Sequence, residues 1–135
     1  MSKSFETVEI DVEALKSFPW LIRYLRNPSV NVQLYCAANF GFSLKHLENP
    51  CEAVQLAAVT QDGLSIRFIK NPSEAVQLAA VTQDGFSIRY IFNPSKEVQL
   101  AAVKRDWCSI QYIADPSKAV LDAAENKVKN SLEGK

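Results

Sequence analysis

Residues 49–70, NPCEAVQLAAVTQDGLSIRFIK, and residues 71–92, NPSEAVQLAAVTQDGFSIRYIF, are adjacent copies of one 22-residue segment and differ at four positions. The flanks continue the series. Residues 27–48 (NPSVNVQLYCAANFGFSLKHLE) and 93–114 (NPSKEVQLAAVKRDWCSIQYIA) are looser copies, while residues 115–135 (DPSKAVLDAAENKVKNSLEGK) keep the opening and lose the rest. A frame moved back by 22 puts Ile10, Val12, Trp20, Ile22, Tyr24 and Leu25 in apolar positions of a degenerate first unit. Tandem repetition at a short, strict period marks a segment that cannot bury its own apolar face and stacks until its neighbours complete the core. The expected organisation is a single repeat domain over residues 1–135, with an N-terminal cap unit at 5–26, four full repeats at 27–114 and a C-terminal cap unit at 115–135.

Within one copy, the Asn-Pro step reads as a helix start, with Asn as N-cap, Pro at the first helical position and Glu52 or Glu74 closing a capping box. The run V-Q-L-A-A-V is apolar around most of a helix, as expected of an element sandwiched between neighbours, and its small Ala-Ala step allows close approach. Gly63 and Gly85 end that helix, and Asp62 and Asp84 are placed to cap the next. The second helix reads G-[LF]-S-I-R-[FY]-I. A rotation of about 100° per residue puts Phe86, Ser87, Ile88, Tyr90 and Ile91 on one arc, with Arg89 and Phe92 opposite. A strand is the competing reading, because S-I-R-Y-I alternates apolar and polar residues, but the asparagine ladder and L-x-x-L-x-L spacing of leucine-rich repeats are missing. The expected fold is therefore all-α: an α-solenoid of about six 22-residue two-helix repeats with polar capping units at both ends. Glu6, Glu9, Asp11 and Glu13 supply the polar first cap, and the last unit finishes in a soluble tail.

Composition narrows the function classes. Hydrophobic residues make up 47% of the 135 positions, enough for a real core, and 15 basic residues balance 15 acidic ones. A net charge near zero argues against a protein held to nucleic acid by its overall field. The opening residues Met1 to Thr7 lack the apolar run of a signal peptide, and no stretch is long and apolar enough for a membrane span, so the expectation is a cytoplasmic protein without a membrane partner. Cys36, Cys51 and Cys108 lie in three different copies without a C-x-x-C pair, which reads as reduced thiols rather than a disulfide framework or a metal site.

The pattern N-P-S-E-x-V-Q-L-A-A-V-x-Q-[DN]-G-x-[SA]-[IL]-[RQ]-[YF]-I, carried by residues 27–117, resembles an uncharacterised family of short helical repeats in bacterial and phage proteins. The resemblance implies an all-helical repeat fold and a microbial or mobile-element origin, and it brings no catalytic residues with it. Phe40, Trp107 and Cys108 depart from the pattern.

No enzymatic site, cofactor or small-molecule substrate is expected. His46 occupies the position of Tyr24, Phe68, Tyr90 and Tyr112, which reads as packing rather than a general base. Ser43, Ser65, Ser87 and Ser109 recur too regularly for nucleophiles, and no phosphate-binding or metal motif is present. Arg23, Lys45, Arg67 and Arg89 form a basic ladder on the exposed edge of the second helices, readable as a solvated face or as a contact for an anionic partner. The aromatic row one position later has the composition of a stacking platform, yet helical phase assigns it to the core. Gln33, Gln55, Gln77 and Gln99 read as hydrogen-bonding between units or to the Asn-Pro turns, and Asp62, Asp84 and Asp106 as caps.

The departures carry the interaction reading. T-Q-D-G becomes Lys104-Arg105-Asp106-Trp107, which sets a large aromatic beside two cations, and Phe92 stands at a position expected to be exposed. Trp and Arg are enriched at interaction hot spots. Arg67, Arg89, Phe92, Lys104, Arg105 and Trp107 are accordingly the expected partner-binding patch. The expected function is a non-enzymatic binding module, a protein–protein scaffold or an inhibitor or adaptor of phage or mobile-element type. Nucleic-acid binding along the ladder and self-assembly into a structural element are the alternatives.

Overall fold

The computed structural model describes residues 12–134. Among them, six α-helices run in chain order as α1 (Val12–Ser17), α2 (Val30–Asn39), α3 (Glu52–Gln61), α4 (Glu74–Gln83), α5 (Lys96–Arg105) and α6 (Lys118–Glu133). A six-residue 3-10 helix follows each of the first five: Pro19–Tyr24, Gly41–His46, Gly63–Phe68, Gly85–Tyr90 and Trp107–Tyr112. The described residues contain no strand; S-I-R-Y lies in a 3-10 helix despite its alternation, with Ile91 as the extended cap that follows. Consecutive α-helices pack in one layer and consecutive 3-10 helices in a second, and Gly63–Phe68 lies against both α3 and α4. One core of valine, alanine and isoleucine runs from Ala37 to Ala124, and a smaller cluster gathers Leu15, Ile22 and Cys36 near the N-terminal end.

The Asn-Pro step has a different role from the expected N-cap. Asn27, Asn49, Asn71, Asn93 and Asp115 all adopt left-handed backbone, with φ between 46° and 53°. Asn and Asp are the non-glycine residues that tolerate this region most readily. The N-cap falls two residues later: Ser29, Ser73, Ser95 and Ser117 accept the amides of Val32, Val76, Val98 and Val120. Proline precedes the cap, and its carbonyl is held by the glutamine row, with Gln55 Nε2 donating to Pro50 O at 2.9 Å and Gln77 Nε2 to Pro72 O at 3.0 Å. Glu52 and Glu74 close no capping box. They open α3 and α4 and accept from the next unit's cap serine, Ser73 Oγ at 2.5 Å and Ser95 Oγ at 2.7 Å.

The second helix is a 3-10 helix, closed by bonds such as Ser65 N to Asp62 O and Ile69 N to Ile66 O, both 2.9 Å. In this geometry residues three apart eclipse. Gly85, Ile88 and Ile91 consequently form one buried ridge, with Ser87 beside it, while Arg89 and Phe92 face outward. The 100° rotation placed those residues correctly and misplaced Tyr90, which lies at the surface.

None of the turn glycines needs a positive φ. Space requires Gly63 instead: a Cβ there would strike the backbone carbonyl of Ala80 and come within 2.7 Å of Ser87 Oγ. Ser65 and Ser87 thus occupy small positions under Gly41 and Gly63 of the preceding unit.

At the C-terminal end the expected soluble tail is helical through Glu133, built from good helix formers and supported by a Lys129–Glu125 pair at 3.0 Å. Of the residues read as the first polar cap, Glu13 is exposed; Glu6, Glu9 and Asp11, with Ile10, lie outside the described residues.

Candidate interaction face

The outer surface of the 3-10 layer carries cations laid over aromatic rings. The guanidinium of Arg67 sits 4.7 Å from the Phe68 ring centre, and that of Arg89 sits 5.1 Å from Tyr90 and 5.2 Å from Tyr112 in the next unit. Lys45 Nζ lies 5.8 Å from Phe42. Phe86 meets Tyr112 edge-on at 5.9 Å, and the edge-on contacts Phe18–Trp20 and Trp20–Tyr24 extend the row toward the N-terminal end. Rings assigned to the core by helical phase are in fact partly solvent-facing, Tyr24 at 56% and Tyr90 and Tyr112 at 39% exposure, because the 3-10 turn rotates that position out of the buried ridge. Among the described residues, Arg23, Lys45, Arg67 and Arg89 make no ion pair, while the pairs Lys16–Glu13 and Lys129–Glu125 lie near the two ends. Each ring–cation contact contributes about 0.5–1 kcal/mol at such exposure and holds the side chain in place.

The six expected partner-binding residues do not form one patch. Arg67 and Arg89 stand on the 3-10 face. Phe92 follows its 3-10 helix at the Asn-Pro edge, 96% exposed. Lys104 and Arg105 end α5 and Trp107 opens the next 3-10 helix, so these three lie at the opposite edge, separated from Phe92 by the length of a ten-residue helix, about 15 Å. Arg105 is engaged there, its Nε donating to the carbonyl of Gln83 at the end of α4 at 3.3 Å. Such a bond satisfies a helix-terminal acceptor. Trp107 is 42% exposed and belongs to the 3-10 helix that packs on α6.

Sequence reading overlooked a second glutamine row. The amide of Gly41 donates to Gln61 Oε1 at 2.8 Å and that of Gly63 to Gln83 Oε1 at 2.6 Å, so each unit reaches the one before it. The signal was available in the Q-D-G step, whose glutamine is lost at Arg105. Asp62 and Asp84 cap as expected, accepting from Leu64 N and Phe86 N. Asp106 does not cap; its Oδ2 accepts from Gly85 N at 3.0 Å.

The Asn-Pro edge is indented at the unit spacing. A cavity of about 400 Å³ is lined by Pro28, Gln33, Arg26, His46 and Glu48; one of about 410 Å³ by Pro50, Gln55, Phe68 and Lys70; and one of about 290 Å³ by Pro72, Gln77, Tyr90 and Phe92. Proline, glutamine and the ring or imidazole recur, while the last residue of each unit changes. His46 titrates below its ordinary value, chiefly through partial burial and then through the charges of Lys45 and Arg23. Burial pushes the Cys36 thiol up to about 11. Among the described residues, no cluster of His, Cys, Asp and Glu is arranged around a metal position, and no helix is long and apolar enough to cross a membrane.

Comparison of the chain with protein-family models, with curated proteins and with solved structures finds no match.

Proposed function

We propose that this chain is a non-enzymatic α-solenoid of about six 22-residue units, the outer two acting as caps, and that it binds another protein through its 3-10 face and Asn-Pro edge. The observation that supports this most is the uncompensated row of cations held against half-exposed rings, running from Lys45 to Tyr112. Preorganised Arg and aromatic side chains lose little conformational entropy on docking and are characteristic of hot spots. The partner is then a protein with an acidic surface, and an inhibitor or adaptor of phage or mobile-element type is the biological form this reading takes. Affinity capture with the full chain, run beside an Arg67→Ala/Arg89→Ala double variant, tests it. A partner retained by the first and lost by the second is expected; identical captured proteins from both would sink the assignment of the face.

Nucleic-acid binding is the second reading, supported by the exposure of Tyr24, Tyr90 and Tyr112 beside Arg23, Lys45, Arg67 and Arg89. Stacked bases and tracked phosphates require this interleaving. It predicts an affinity for single-stranded oligonucleotides that falls linearly in log–log form with salt. Binding insensitive to salt between low and physiological concentration would exclude it.

A further inference from the structure

We propose that the indented Asn-Pro edge holds an extended peptide in polyproline II conformation, three residues to each unit, with an acidic side chain at the Lys70 cavity and an apolar one at the Phe92 cavity. This rests on the protein-binding reading above and names the form of the partner.

The spacing of the units matches this peptide. The Arg89 guanidinium bridges Tyr90 and Tyr112 at 5.1 and 5.2 Å, so equivalent rings of consecutive units stand no more than about 10 Å apart, in keeping with helix packing at roughly 8–10 Å. A polyproline II chain has three residues per turn at about 3.1 Å each, and returns a side chain to the same face every ~9 Å. A β-strand repeats its face at about 6.6–6.8 Å and loses step with the units at once.

Its hydrogen-bonding needs are met at the same edge. A polyproline II backbone makes no internal hydrogen bonds and offers its carbonyls outward. Gln33, Gln55 and Gln77 line successive cavities, and each already donates one Nε2 hydrogen to the proline carbonyl of its own turn. The amide nitrogen carries two hydrogens. One donor per unit therefore remains at the cavity wall, one for every three residues of a peptide in step with the stack.

The residue that varies from cavity to cavity sets the side chains preferred. Lys70 brings a cation to a cavity walled by Phe68, whose ring Arg67 covers, and these charges complement a carboxylate. The next cavity offers Phe92 and Tyr90 instead. Phe92 is 96% exposed, an apolar side chain of the kind that marks a surface for covering. Aromatic-lined grooves are the recurrent receptors for this peptide conformation.

The experiment is a fluorescence-polarisation titration of the full chain against labelled synthetic peptides of about twelve residues, four polyproline turns. One carries Pro-Pro-Glu triplets with a single Glu replaced by Leu; a control of the same composition has its glutamates adjacent. The spaced peptide is expected to bind about tenfold tighter than the control, and Phe92→Ser to weaken it by a similar factor without moving the thermal unfolding curve. Lys70→Glu, an exposed change, is expected to shift preference to a peptide with Lys at one glutamate position. Equal affinity for spaced and adjacent peptides, or unchanged preference in Lys70→Glu, overturns the proposal. A captured protein that depends on Arg67 and Arg89 while no peptide binds would overturn the peptide form and leave the protein-binding reading standing.

Discussion

Asp106 Oδ2 accepts the amide of Gly85 at 3.0 Å, the task that Gln61 performs for Gly41 and Gln83 for Gly63. Arg105 has taken the glutamine position, and the neighbouring aspartate has left its cap to fill the gap. Asp106→Ala should therefore cost about 1–3 kcal/mol, the cost of a part-buried amide left without an acceptor. In an Arg105→Gln background the same substitution removes only a cap, and a double-mutant cycle by urea unfolding should show coupling of about 1 kcal/mol. Additive losses would break the link between the two positions.

Cys51 is the one N-cap among α2 to α6 whose side chain accepts no amide. Cys51→Ser should stabilise by about 0.5–1 kcal/mol by supplying that acceptor. Ser73→Ala should cost about 1–2 kcal/mol, since Ser73 both caps α4 and donates to Glu52. Denaturant melts of the two variants should move in opposite directions.

Asn71 and Gly63 separate backbone strain from crowding. With φ at 53°, Asn71→Gly should be tolerated and Asn71→Ser or Ala should lose about 1 kcal/mol, an order that a capping role would reverse for serine. Gly63→Ala should lose about 1–3 kcal/mol through its clash with the Ala80 carbonyl, which belongs to helix backbone and has little room to retreat.

His46 should make stability pH-dependent in one direction. Its folded value lies below the ordinary 6.5, so the unfolded chain binds more protons in between; the contribution is complete above 6.5, declines as pH falls below it and is gone once pH has passed the folded value. Thermal melts between pH 7.5 and 5.5, numbers chosen to bracket the usual imidazole range, should show less decline for His46→Tyr than for the parent chain.

Thiol reactivity should follow burial. Cys36, buried and with its thiol raised to about 11, should resist iodoacetamide in the native state, whereas exposed Cys51 should label readily. Mass spectrometry of peptides after brief alkylation near pH 8 reads the difference, and rapid labelling of Cys36 would contradict the packing described for it.

Most of the helical order was legible because it rests on local chemistry repeated without insertion. The V-Q-L-A-A-V helices, the Asp62 and Asp84 caps, the outward Arg89 and the exposure of Phe92 all follow from residue type and spacing. The surface of Tyr90 was misread because six residues support either an α or a 3-10 turn, and the two differ by about 20° per residue, enough over a few residues to change a face. The expected single patch failed for a simpler reason: residues 92 and 104–107 are close along the chain, yet a whole helix lies between them.

Local sequence sets the helices and turns of each unit, because left-handed Asn, cap serine and the apolar period act within a few residues, while the apolar face they create is buried only against the neighbouring units. Contacts twenty to twenty-three residues apart belong to the folded stack alone: Gly63 to Gln83, Ser95 to Glu74, and Arg89 over Tyr112. They form only after helices from different units have docked, and no periodicity within one copy specifies which side chains will then meet. The exposed cation–aromatic row and the indented edge beside it are products of that docking.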